Sequence, residues 1–237
     1  MAGVILFADH VLLCEGDSEA ILIPPLLQAL TESGATKVDL NTFAVISTGN
    51  TRNTDALIRM IGEAAPQSKL AVLVDGDQGG KDRLKALKPV LTARNIPARA
   101  LTKDRTIEDY LPYQDDLYVR AVAEYAYKLR TDYKVVPARP LDDLLAQAKV
   151  DHEAWKTAGN INKVGNWAEL ECHQLSGRAE VSPKIGIARE YVNLLADVPR
   201  DQLRSRELTG PRDLLEMING LLDLPAVTDA TTAILGN

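Results

Sequence analysis

The chain has 237 residues, 46% of them hydrophobic and 25% charged, and a formal net charge of −6 at pH 7. That length buries a sizeable core, and the composition is that of an ordinary soluble globular protein. The acidic balance excludes a surface coated with cations for nucleic-acid binding, no apolar run approaches the roughly 20 residues of a membrane span, and the N-terminus lacks the order of a secretory signal.

Met1 to Asp9 contains a short apolar stretch, Val4-Ile5-Leu6-Phe7. The run Val11-Leu12-Leu13-Cys14 then suits a buried strand of a parallel sheet and ends in Glu15-Gly16. A helix is expected from about Ser18 to Glu32, capped by Asp17 or Ser18 and stopped by Ser33-Gly34. Thr42 to Ile46 reads as a second strand, Ser47-Thr48-Gly49-Asn50 as a loop, and Thr54 to Ala65 as a helix. Leu70 to Val74 reads as a third strand and ends in Asp75-Gly76-Asp77. A helix follows from about Gly80 to Arg94, then a weaker strand candidate from Pro97 to Leu101. This alternation predicts an α/β fold with a parallel sheet flanked by helices.

From about Tyr113 the texture changes. Tyr118 to Leu129 and Leu141 to Ala148 read as helices, and the stretch from Trp155 to Trp167, with Gly159, Asn160, Asn162 and Gly165, reads as irregular. Lys184 to Leu195 and Arg212 to Leu222 read as helices, and the tail from Pro225 is small and polar. The expected organisation is a first sheet-bearing part over 1–112, a mainly helical insertion over 113–178, and C-terminal helices over 179–237 that complete the sheet region.

Open α/β sheets place ligands beyond the carboxyl ends of their strands. If the strands ending at Glu15 and Asp75 are neighbours, their carboxylates converge at one edge, and such a cluster demands neutralising cations. Glu15 and Glu19 lie four apart and can share a helix face if the helix begins early enough. Asp75 and Asp77 lie two apart, so extended backbone points both the same way. Each signal has a plainer reading: Asp-x-Asp as a loop or cap, Glu-x-x-x-Glu as a solvated face. The basic residues Lys81, Arg83, Lys85, Lys88, Arg94, Arg99, Lys103 and Arg105 read first as a solvated helix face and loop, and second as a contact to DNA backbone. Gly79-Gly80 reads as a backbone approach to phosphate or a turn.

Phe7 to Gly16, the later Asp75-Gly76-Asp77, and Ile107-Glu108-Asp109-Tyr110-Leu111 together resemble the Toprim signature, and in detail the Toprim nuclease region of the OLD (overcoming lysogenization defect) family. The resemblance covers Phe7 to Leu111 well and Pro183-Lys184 to Leu195 more loosely; Pro112 to Arg178 matches no motif. It implies a metal-dependent DNA endonuclease using two Mg²⁺ or Mn²⁺ ions, with little sequence preference and contacts to the phosphate backbone. It implies that Glu15, Glu19 and Asp75 hold one ion and that Asp77 and Glu108, with Thr106, hold or orient the second, Asp75 bridging. Lys184, at the start of a late helix, would stabilise charge on the phosphate, with Arg178 and Arg189 as weaker alternatives. Asp109 would stand behind the ligands, and Gly49 would lie in the loop at the same sheet edge.

The chain contains no Gly-x-x-x-x-Gly-Lys-Ser/Thr loop. The junction-like N-terminus therefore reads as the nuclease part of a larger ATPase-nuclease, monomeric by itself, whose partners are DNA and its own ATPase domain. Two other readings stay open: a Toprim enzyme acting on RNA or as a primase, and a non-catalytic acidic pocket binding Mg²⁺ in the manner of a receiver domain. His10, His152 and His173 are scattered, and His10 reads as structural. Cys172 and His173 lack a Cys-x-x-Cys partner, so the spacing gives no zinc site. Cys14 reads as a core residue, and two cysteines make no disulfide framework, which points to a reducing cytoplasm.

Overall fold

The computed structural model describes residues 8–34, 36, 38–160, 162–199 and 208–224. The Val4-to-Phe7 stretch and the tail from Pro225 lie outside them.

Strands β1 (His10–Cys14), β2 (Phe43–Ser47), β3 (Lys69–Val74) and β4 (Ala98–Ala100) form a four-stranded sheet in the order β2-β1-β3-β4. Every pairing is parallel, with Leu13 opposite Ile46 on one side and Val72 on the other. The sheet thus has the crossover architecture expected from the alternating apolar runs. Helices α1 (Asp17–Glu32), α2 (Thr51–Ala64) and α3 (Gln78–Ala93) link the strands.

Strand alternation sorts the core. Leu12, Ala71 and Leu73 face the cluster that includes Leu22, Leu26 and Leu30 of α1. Val11, Leu13, Val72 and Val74 face the other cluster, with Ile58, Ile61, Leu87 and Leu91 of α2 and α3. Both faces are covered, which is why β1 and β3 read as continuous apolar runs rather than alternating ones.

After a single 3₁₀ turn, Ile107–Tyr110, the chain becomes helical. Helices α4 (Val119–Asp132), α5 (Leu141–Thr157) and α6 (Val164–Ser176) pack on one another, and α7 (Lys184–Ala196) and α8 (Thr209–Leu222) follow. Their buried residues, Val122, Ala126, Ala168, Tyr191 and Leu215 among them, belong to the same cluster as Leu12 and Leu73, so these helices share the core of one sheet face. The stretch expected to be irregular is so between Thr157 and Val164, where Gly159, Asn160 and Asn162 lie outside any helix; its flanks are helical, with Trp155 in α5 and Trp167 and Gly165 in α6, and both indoles pack against His152. Gly159, Asn160 and Asn162, poor helix formers, make the break between the two helices, while the two indoles and the imidazole pack across it. Among the described residues, no helix is long and apolar enough to cross a membrane.

Candidate metal centre

The site is built at the carboxyl edge of the sheet. Glu15 follows β1 directly, and the backbone N–H groups of Thr48 and Gly49 donate to the carbonyls of Cys14 (3.0 Å) and Glu15 (2.9 Å). The loop after β2 is thereby fixed beside Glu15, where the sequence expected Gly49. Asp75 follows β3, and the next residue must be glycine: a Cβ on Gly76 would sit 1.9 Å from the Thr102 carbonyl oxygen. That close approach brings the loop after β4 against the Asp75 turn, and Gly76 N–H donates to Arg105 (2.9 Å).

Helix α1 starts at Asp17 with Gly16 as its cap residue, and no side chain caps it. The expected cap by Asp17 or Ser18 is therefore corrected: Asp17 is already helical, and the Ser18 hydroxyl donates to Glu19 Oε2 at 3.1 Å. The shared-face reading of Glu15 and Glu19 changes too, because Glu15 lies outside the helix. Glu19 instead folds back over Gly16 and is buried, 5% exposed. Asp77 has the role of a cap, its Oδ1 accepting from Gly80 N–H at 2.9 Å. A capping carboxylate keeps further acceptor capacity for a cation. Gly79 and Gly80 lie in the first turn of α3, where Gly80 packs against the Asp75 carbonyl, so neither forms a separate phosphate loop.

Glu108 comes from the 3₁₀ turn after β4 and is 5% exposed. Its carboxyl lies on α6, where Gly165 makes room: a Cβ there would meet Glu108 Oε2 at 2.8 Å. Gln114 Nε2 holds the Glu108 carbonyl at 2.8 Å. Thr106 heads the turn, and its N–H donates to Asp109 Oδ2 at 2.8 Å. Asp109 accepts from the N–H groups of Lys163 and Val164, both at 2.9 Å. Lys163, the cap residue of α6, supplies no side-chain acceptor; Asp109 does this from another segment and so ties the helical part to the site.

The electrostatics identify these carboxylates as one group. Burial, then the charges of Glu19, Glu108, Glu15 and Asp77, push the Asp75 carboxyl up from 3.8 to about 8. Burial also raises Glu19, with Glu108 adding to it. Burial raises Glu108, opposed by Thr106 and by the charge of Lys184. Tyr118, buried beside this edge, is raised by burial and then by Glu108 and Asp109. Holding these carboxylates ionised together without cations costs several kcal/mol. Glu15 Oε2 and Asp75 Oδ1 are buried without a hydrogen-bond partner. Among the described residues, no three His, Cys, Asp or Glu side chains close into a ready-made metal cage. The donor set and the two orphaned oxygens nevertheless fit a hard divalent cation such as Mg²⁺ or Mn²⁺.

Lys184 is the first residue of α7 and lies 3.8 Å from Glu169 Oε2, a loose pair that leaves the ammonium partly exposed. Its charge opposes the rise that burial imposes on Glu108. Arg178 is engaged elsewhere, paired with Glu180 and stacked 4.0 Å over the Tyr133 ring. Arg189 is exposed. Of the basic run, Lys81, Lys85 and Lys88 are exposed, as a solvated face requires. Arg83 is not: its guanidinium turns inward to Glu15 Oε1, 3.3 Å away. Sequence reading missed this contact, together with Gly165 and Tyr118. The available signal was position, because α3 leaves the acidic edge and its second turn can reach back to it. Cys14 is buried, its thiol 3.4 Å from the Ile46 carbonyl, and burial pushes it above the usual thiol range.

The fold is an α/β one, a four-stranded parallel sheet flanked by helices, with carboxylates gathered beyond its carboxyl edge. Residues 6–77 match the family model described as "Overcoming lysogenization defect protein-like, TOPRIM domain", so this stretch is similar to that domain. No curated protein matches the chain. Among solved structures, the C-terminal region of the Burkholderia pseudomallei OLD protein matches with 16% identity, 91% of this chain and 99% of that chain covered, and a TM-score of 0.44. The C-terminal region of the Xanthomonas campestris pv. campestris OLD protein matches with 18% identity, 93% and 97% coverage, and a TM-score of 0.46.

Proposed function

We propose that this chain is a divalent-metal-dependent endonuclease that cleaves DNA phosphodiester bonds by a two-metal mechanism, as the Toprim nuclease region of an OLD-type ATPase-nuclease. The observation that carries the reading is the group of four carboxylates around Asp75, whose charges add to burial in raising its carboxyl to about 8. Glu15, Glu19 and Asp75 would hold one ion, and Asp77 and Glu108, supported by Thr106, the second. Such ions supply Lewis-acid polarisation of the phosphate and activation of water.

The protein's own residues do the rest. Gly76 and Gly80 let three backbone segments approach closely and fix Asp75 and Asp77 at the edge. Gln114 and the Gly165 gap set the position of Glu108. Lys184 offsets negative charge that grows on the phosphate, from an exposed position that substrate can reach. The exposed Lys81, Lys85 and Lys88 on α3 give sequence-independent contacts to DNA backbone.

The test is incubation with supercoiled plasmid in Mg²⁺, Mn²⁺, Ca²⁺ or chelator, beside Asp75→Ala and Asp75→Asn. Nicking and linearisation in Mg²⁺ or Mn²⁺ that vanish in both variants are expected. Equal cleavage by both variants rejects the assignment. A parallel digest of structured RNA decides between nucleic-acid substrates.

A further inference from the structure

The helix α3 cations differ in one respect that the metal site alone does not explain. Arg83 sits among exposed lysines, yet its side chain is only 11% exposed. Its Nη2 donates to the Gly49 carbonyl at 3.0 Å and its Nη1 lies 3.3 Å from Glu15 Oε1. Gly49 N–H in turn donates to the Glu15 carbonyl, so Glu15, Gly49 and Arg83 close a small ring. The carboxylate contact is weak in one specific way. Arg83 Nη1 has no hydrogen-bond partner, and neither has Glu15 Oε2. A bidentate arginine–carboxylate fork would satisfy both and resist displacement. Here charge, rather than a hydrogen-bonded fork, holds the guanidinium against the carboxylate.

We propose that Arg83 is the internal counter-cation of the metal-free site, resting against Glu15 until a divalent cation displaces it, and so setting the metal concentration at which the site fills. The inference rests on the metal-centre reading above. A divalent ion on Glu15 and a guanidinium against the same carboxylate repel each other, and by linkage whatever favours one disfavours the other.

The test measures metal binding without DNA or turnover. Mn²⁺ is titrated into the full chain and free Mn²⁺ is followed by its EPR signal, for wild type, Arg83→Gln, and the exposed control Lys85→Gln. Loss of the competitor should tighten Mn²⁺ binding in Arg83→Gln by at least about fivefold, while the same charge change at the exposed Lys85 shifts it less than about twofold. Thermal unfolding in chelator should fall in Arg83→Gln, and its Mn²⁺-induced rise should be larger than that of wild type. Unchanged or weaker binding in Arg83→Gln, or equal tightening in Lys85→Gln, overturns the proposal. If Arg83→Gln does not fold, Arg83→Lys replaces it; the shorter, fork-less cation should tighten binding to a smaller degree, and no tightening overturns the idea. Wild type that takes up no Mn²⁺, or takes up as much as Glu15→Gln, removes the metal centre itself and this inference with it. Normal uptake by wild type with no change in Arg83→Gln removes only the role of Arg83.

Discussion

Two carboxylates in this molecule, one buried and one half-buried, are treated in opposite ways. Glu190, on α7, is 9% exposed and takes Lys128 Nζ at 2.6 Å. Asp75, at the sheet edge, has a buried oxygen with no partner and four carboxylates around it. The first is a structural ion pair, complete within the chain. The second is left incomplete, and the other acids at its edge make the deficit larger. Unneutralised buried charge is expensive, so a fold that gathers it at one place needs an outside cation or protons to hold it.

The comparison is broken most directly through activity. Asp75→Asn keeps size and shape but removes the charge, and cleavage should fall by at least about a hundredfold. Glu190→Gln should leave cleavage within about twofold. A similar loss in both variants would show that the two acids do not differ in role. Lys184→Met comes next: kcat should fall by about ten- to a hundredfold, with thermal unfolding little changed because the side chain is half-exposed. An unaltered kcat would return Lys184 to an ordinary helix-start lysine.

Titration sharpens the same contrast. The folded-state value of Asp75, about 8, lies above its ordinary 3.8. Below 3.8 both folded and unfolded chains hold the proton. Between the two values the folded chain keeps it and the unfolded chain releases it, so metal-free stability falls as pH rises through that window. The fall should be on the order of a few kcal/mol and should be smaller in Asp75→Asn, where Glu19, Glu108 and Glu171, raised in the same sense, still contribute, as chemical denaturation at pH 5 and pH 8 would measure. The buried His152, whose value burial lowers, acts in the opposite sense near 6.5, so the difference between wild type and variant is the informative quantity. The smallest effect is the stability of Glu190→Gln, about 1 kcal/mol, because its partner Lys128 is half-exposed and recovers water.

The parts of this architecture legible in the sequence are those fixed by local periodicity. Apolar runs ending in Glu15-Gly16 and Asp75-Gly76 are local features, and their strand positions follow from burial on both sheet faces. Glu108 could be named but not placed, because the gap that receives it belongs to Gly165, far along the chain. The cap expected at Asp17 failed because Glu19 is drawn inward and α1 begins one residue early, with Gly16 as its cap. Arg83 was hidden in a run of cations because an inward-turned arginine and a solvated one look alike until the partner loop, here Gly49, is in place. Helix α6 was missed because the acceptor for its N-terminus, Asp109, comes from another segment and leaves no capping signal near Lys163.

That last contact has a consequence for hydrogen exchange. One carboxylate, Asp109, receives the amide protons of Thr106, Lys163 and Val164. Local openings that free the start of α6 should therefore loosen the carboxylate that holds the Glu108 turn, and matched protection of the three amides in hydrogen exchange would measure that coupling. A substitution that loosens the start of α6, far from any ligand, should then lower the protection of the Thr106 amide at the acidic edge.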